Sequence, residues 1–189
     1  TDSLILVGEC PLSEVEEEDV WNEGVIGLVA GKLAEKYYRP ALVITKTKHG
    51  YKGSGRSIEE FNIAAAVNEA SEFLEKCGGH PQACGFSLRE DQLEGFKTKM
   101  HEFAAARLSG LDLKPKLDID AELELGSIDL DLIETLDQFE PFGQENEKFV
   151  FLSRGCTILD IMHMGADSQH LKLKLKQNRS GILHAIGFN

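Results

Sequence analysis

Three short stretches hold the residue types able to do chemistry. "GSGRS" (53–57) sets one guanidinium and two hydroxyls among glycines. Arg56 offers a planar fork of donors matched to two phosphate oxygens, and Ser54 and Ser57 add hydroxyl donors. Gly53 and Gly55 let the backbone take positive φ and let an anion approach its N–H groups. The result is a phosphate cradle without the spacing of a G-x-x-x-x-G-K-[ST] loop, and a plain hairpin turn accounts for the glycines as well. "CGGHPQACG" (77–85) places His80 after Gly78 and Gly79, with Cys77 and Cys84 on either side. A metal site would need Cys77, His80 and Cys84 to converge with a fourth ligand; C-x2-H-x3-C is no standard zinc spacing, so no metal is assigned. His80 serves instead as a proton carrier, as a donor to a phosphate, or as a loop histidine pinned by local hydrogen bonds, while both cysteines read as packing residues. In "HLKLKLK" (170–176), Lys172, Lys174 and Lys176 point one way and the leucines the other. Alternate strand residues lie roughly 6.5–7 Å apart, comparable with an extended nucleic-acid backbone. An edge strand protected from aggregation carries the same pattern.

The charge distribution bears on all three. The chain of 189 residues has a formal net charge of −12, which argues against a protein coated with nucleic acid, yet binding responds to local potential. Acid gathers in "SEVEEED" (13–19) and across 118–147, whereas 45–57 and 169–179 contain none. Two basic strips on an acidic body follow, or two solvated edges. Hydrophobic residues at 42% and charged residues at 28% are globular chemistry. No apolar run approaches the roughly 20 residues that span a bilayer, and the start "TDSLILVGEC" has no basic n-region, so it reads as a buried strand of an excised fragment and not as a secretory signal. Four scattered cysteines imply reduced thiols in a cytoplasm.

The elements that must position these residues alternate in type. Strands are expected at 3–9, 39–46 and 83–89, with 51–57 a turn joined to a short extended piece. Helices are expected within 21–38, with Val25, Ile26, Leu28, Val29 and Leu33 on one apolar face, and over 62–77 and 91–109. Asn62 and Asp91 read as N-caps, and Gly78 as the end of the second helix. Residues 1–109 therefore form an α/β domain, a mixed sheet flanked by helices. From 110 to 189 a Pro-containing connector and a short helix at 130–139 precede period-two segments at 149–164, 169–176 and 181–188, implying a small, mainly-β, barrel-like domain. Phe139, Phe142 and Phe149 are base-stacking candidates that a core would also claim.

"WNEGVIGLVAGKLAEKYYRPALVI", "GSGRSIEEFN" and "CGGHPQACGF" in this order resemble the DHHA1 domain of the DHH phosphoesterase superfamily. "EPFGQEN" and the following basic strand are similar to the OB-fold-like domain of its RecJ family, single-strand-specific DNA exonucleases. The resemblance implies that His80 contacts the phosphate beside the scissile bond, that Gly78 and Gly79 bring the backbone close, and that Ser54 and Arg56 hold a 5′ phosphate, with Ser57 beside them. It makes the stretch around His80 a phosphate clamp. Lys172, Lys174 and Lys176 would track single-stranded DNA. The family cleaves by in-line attack of water activated by Mn2+ or Mg2+, held by an aspartate/histidine cluster in a preceding DHH domain. No D-H-H or D-H-N occurs here, and the histidines stand apart at 49, 80, 101, 163, 170 and 184.

The expected partners are accordingly single-stranded DNA, a DHH domain of the same polypeptide and, through the acidic surface, a further protein, with no membrane and no cofactor held by this fragment. It would be inactive by itself and belong to cytoplasmic DNA repair and recombination. Two other readings stay open: a non-catalytic nucleic-acid-binding or scaffold relative, and a phosphodiesterase for short oligonucleotides, which the second domain disfavours. An OB barrel has five strands; residues 110–189 offer three or four, and the chain stops after "HAIGF", so the barrel is expected to be open or truncated.

Overall fold

The apolar runs before and after the first helix become β1 (Leu6–Glu9) and β2 (Ala41–Thr47), paired in parallel with Leu6 opposite Ala41. A parallel pair needs a crossover, and α1 (Ile26–Tyr37) lies within it. The computed structural model describes residues 3–10, 21–143 and 145–188, so the acidic run at 13–19 lies outside the described residues. Chain contacts divide it into two units, Thr1–Pro115 and Lys116–Asn189.

In the first unit, β3 (Gly50–Arg56), β4 (Lys76–His80) and β5 (Ala83–Leu88) extend the sheet antiparallel in the order β1-β2-β3-β5-β4. The mixed sheet flanked by helices is as expected. One face carries the main core: Leu42, Ile44, Tyr51, Phe86 and Leu88 pack with Phe96, Met100 and Leu108 of α3 (Leu93–Leu108) and Ile63 and Val67 of α2 (Ile63–Glu69). The Phe86 and Phe96 rings sit 4.7 Å apart. On the other face Ile26 and Ala30 of α1 close over Val43. Helix α1 packs on β2 and β3, and β4 beyond it is exposed throughout.

Several local expectations are corrected. Residues 50–56 are a strand, not a turn, and neither Gly53 nor Gly55 has positive φ. These glycines make room for the core: a Cβ on Gly53 would lie 2.0 Å from the Phe86 ring, and one on Gly55 would lie 2.6 Å from the Cys84 sulfur. The helix expected over 62–77 ends at Glu69; a 3-10 turn (Ser71–Phe73) follows, and Lys76–His80 pairs with β5 instead. Gly78 is therefore a strand residue, not a helix terminator. Asn62 caps α2 as expected, its Oδ1 accepting from the Ala65 N–H at 2.9 Å. Asp91 caps nothing, because its carboxylate accepts from the Gln92 side chain and pairs with Arg89 within a 3-10 turn before α3. Of the apolar face read on α1, only Ile26 is buried; Val25, Leu28 and Val29 are exposed, and small Ala30 and Ala34 make the close contact.

The second unit is mainly β. A short parallel pair, β6 (Ala121–Glu122) with β7 (Phe151–Leu152), stands beside an antiparallel sheet of β8 (Thr157–Met164), β9 (His170–Lys176) and β10 (Leu183–Gly187), ordered β10-β9-β8. Between them α4 (Leu130–Asp137) is capped by Asp129, whose Oδ1 accepts from the Leu132 N–H at 2.9 Å. The five strands fall into two sheets, with no closed hydrogen-bonded barrel among the described residues. Buried Gln177 ties the pieces together: its Oε1 accepts from Leu125 N at 2.7 Å and its Nε2 donates to the Arg154 carbonyl at 2.7 Å. Phe149 lies edge-on to Phe139 at 5.1 Å and to Phe142 at 6.0 Å; Phe142 and Phe149 are half-buried in this cluster and only Phe139 is exposed.

Candidate functional site

Strands β3 and β4 both pair antiparallel with β5, so they run parallel to each other and their residues fall into shared rows. Arg56, Ala83 and His80 form one row; Ser54, Gly85 and Gly78 form the next. Directly paired and alternate residues share a face, so Ser54, Arg56, Gly78 and His80 project together on the face that α1 leaves partly open. Two strand spacings separate Arg56 from His80, about 9.5 Å between backbones. A Cβ on Gly78 would meet nothing within 4 Å, and one on Gly85 only the Gly53 carbonyl at 3.9 Å, which leaves bare backbone as the floor. The first turn of α1 forms a wall. Its Gly27 sits where a Cβ would lie 3.1 Å from Arg56 Nη2 and 3.2 Å from Ser54 Oγ. Next to Arg56, a groove of about 410 Å³ runs along this face, lined by Gly27, Ser54, Gly85, Lys52, Ser87 and Lys76.

Local hydrogen bonds aim the polar groups. Arg56 Nη1 donates to Ser54 Oγ at 3.1 Å and to the Gly55 carbonyl at 2.8 Å, while Ser54 Oγ donates to the Cys84 carbonyl at 3.4 Å. One edge of the guanidinium is thus fixed, and no carboxylate pairs with it among the described residues. His80 ends β4, exposed, and its Nδ1 accepts from the Gln82 N–H at 3.4 Å. With Nδ1 an acceptor, the neutral ring carries its proton on Nε2, an outward donor. Half-buried arginine, hydroxyl, imidazole donor and bare backbone together suit a phosphate's oxygens.

In the second unit, β9 is the central strand of its sheet, which removes the edge-protection reading of its lysines. Lys172, Lys174 and Lys176 share one face. Lys172 stands half-buried between Met162 and Ile186, Lys174 pairs with Asp160 at 3.2 Å, and Lys176 lies opposite Thr157.

The DHHA1 domain profile matches residues 5–106, and the RecJ OB domain profile matches 119–189. The chain belongs to the RecJ family. It is 34% identical over 171 residues to the single-stranded-DNA-specific exonuclease RecJ of Bacillus subtilis, covering 89% of this chain and 22% of that protein. Against the RecJ of Haemophilus influenzae the identity is 28% over 190 residues, covering 97% of this chain and 33% of that protein. The chain thus spans between 22% and 33% of the length of these relatives. A crystal structure of RecJ from Thermus thermophilus in complex with Mn2+ superimposes with a TM-score of 0.76 at 22% identity, over 98% of this chain and 25% of that one. The corresponding complex with Mg2+ gives 0.75 at 21% identity, over 100% and 27%. Both share the fold.

In this RecJ-family chain the strand pairing sets Ser54, Arg56, Gly78 and His80 on one face of the sheet, but not every residue read from the sequence. Gly79 faces the core side, where φ is +152° and a Cβ would lie 2.2 Å from the Ala83 carbonyl oxygen, so it shapes the hairpin and not the groove floor. Ser57 leaves the strand; its hydroxyl donates to the Phe61 carbonyl and its N–H to the Gln82 carbonyl. Cys84 is buried as expected, and burial pushes its thiol up to about 11 against the lowering effect of the Gly55 backbone and of Arg56. Cys77 is exposed, not packed, because β4 is the sheet edge. Among the described residues no three His, Cys, Asp or Glu side chains are placed to hold a metal, so Mg2+ or Mn2+ finds no fitting ligand set here. Lys52 and Lys76 also line the groove; from the sequence Lys52 is read only as part of the basic strip 45–57, and Lys76 is not read at all. Their signal is the period-two spacing K-x-S-x-R and K-x-G-x-H.

Proposed function

We propose that this chain is the substrate-holding part of a RecJ-type 5′→3′ single-stranded-DNA exonuclease. Arg56 and Ser54 take the terminal 5′ phosphate, and His80 donates from Nε2 to the phosphate beside the scissile bond. Developing negative charge there is countered by the guanidinium and imidazole. Gly78 lets the strand approach the backbone closely, and Gly79 holds the hairpin that presents His80. The observation that carries this reading is the single row Arg56–Ala83–His80 beside an uncovered glycine floor. The metal-dependent chemistry belongs to a DHH domain outside this chain. The purified chain with Mn2+ or Mg2+ is therefore expected to release no nucleotides from single-stranded DNA. Metal-dependent digestion that vanishes in His80→Ala would overturn that assignment.

The second unit adds its own phosphate contacts. Lys172, Lys174 and Lys176 present cations on one face of β9 at the repeat of an extended strand. Fluorescence anisotropy with a 5′-phosphorylated oligothymidylate, titrated with salt, tests this. Replacing the three lysines with glutamine should flatten the slope of log K against log salt by about two, at roughly 0.7 per phosphate contact on a single strand. An unchanged slope would remove the second unit from the DNA path.

A further inference from the structure

The groove continues past the row of Ser54. Lys52, Ser87 and Lys76 form the next row, with both lysines on the open face and Ser87 between them. We infer that this row is a second phosphate subsite, which takes an internal phosphate of the strand whose 5′ end lies at Arg56; the inference rests on the function proposed above. Four residues along a strand separate Arg56 from Lys52 and His80 from Lys76, about 13–14 Å. That length is two repeats of an extended nucleic-acid backbone, so the third phosphate from the 5′ end meets the lysines. The phosphate between them is the one assigned to His80 above; it passes over Gly85 and Gly78, one row from His80, where no side chain obstructs it. Two cations on either side of a hydroxyl form a pincer for a phosphodiester, which carries one negative charge and two free oxygens.

The charges facing this row decide its sign. Lys76 makes no ion pair among the described residues, whereas Lys52 pairs with Glu23 at 2.6 Å, with the two side chains 53% and 48% exposed. An exposed pair of this kind is weak, and a phosphate displaces the carboxylate at little loss. Glu75 next to Lys76 and His49 and Lys48 at the β2–β3 turn line the adjoining surface. The lysines outnumber the carboxylates there, against the chain's net charge of −12.

The test uses the full chain and two probes, 5′-phosphorylated thymidine oligonucleotides of two and of five nucleotides. The first carries two phosphates and reaches only the Ser54 row; the second reaches Lys52 and Lys76. The double variant Lys52→Gln/Lys76→Gln should weaken the longer probe about tenfold and lower its salt slope by about 1.4, leaving the shorter probe unchanged. Both side chains are exposed, so an unchanged melting temperature serves as the folding control. Arg56→Gln, run in parallel, should weaken both probes. Equal weakening of both probes by the lysine variant, or weakening of neither, overturns the subsite while Arg56 keeps its role. If Arg56→Gln changes neither probe, or if the wild-type chain binds neither, the underlying reading fails and the subsite falls with it.

Discussion

Gly79→Ala is expected to lower the melting temperature by about 10 °C, while Gly78→Ala, one residue away, leaves it within about 2 °C. The contrast follows from the two backbones. Gly79 holds φ +152°, and its Cβ would lie 2.2 Å from the Ala83 oxygen and 2.6 Å from the Cys84 Cα. Both obstacles are main chain in a paired strand, so relief requires opening the β4–β5 hairpin. Strain of this conformation in an alanine costs about 1–3 kcal/mol, and the clash adds to it, for a total near 3 kcal/mol. Gly78 has an ordinary φ and nothing within 4 Å of a Cβ. Its alanine loses no contact and gains from a stiffer unfolded chain. A side chain there stands on the groove floor, so Gly78→Val should weaken nucleic-acid binding at unchanged stability. Calorimetric scans of the pair decide it; equal melting temperatures would mean that the hairpin register is not the one described.

The second large effect concerns Arg56. Arg56→Gln should weaken binding of a 5′-phosphorylated strand by about 10–100-fold, the loss of charge-assisted hydrogen bonds worth about 1.5–3 kcal/mol. Stability should change little. Arg56 is bonded to Ser54 and the Gly55 carbonyl and has no carboxylate partner among the described residues, so its removal strands no buried charge. Arg56→Lys restores the charge without the fork and should recover only part of the affinity. Full recovery by lysine would mean that the site reads charge alone.

Much of this is legible in the residues, and the exceptions share a cause. Arg56, Ser54 and His80 stand out because guanidinium, hydroxyl and imidazole among glycines suit a phosphate, whatever their backbone. The backbone itself is not legible in the same way. Gly53 and Gly55 imply a turn to anyone reading 50–57 alone; the reason for them is the Phe86 ring and the Cys84 sulfur across β3, information held in another strand. Likewise "NIAAAVNEASEFLEKC" favours a helix throughout by propensity, but Lys76–His80 is claimed by the free edge of β5. That difference hides Lys76. Read as helix, it is one solvated cation; read as strand, it falls into line with Gly78 and His80. The lysines of β9 show the reverse case: their alternation is correct from spacing alone, and only pairing with β10 reveals a central strand. Local pattern sets side-chain periodicity wherever the element type is right, and tertiary pairing decides the element type.

The central claim is that a groove in an acidic protein grips the phosphate at the end of a nucleic-acid strand. It is tested most directly by comparing the affinity of the wild-type chain and of Arg56→Gln for one oligothymidylate bearing either a 5′ phosphate or a 5′ hydroxyl. The account predicts at least about a tenfold preference of the wild type for the phosphorylated end, abolished in the variant. Equal affinity of the wild type for the two ends would contradict it.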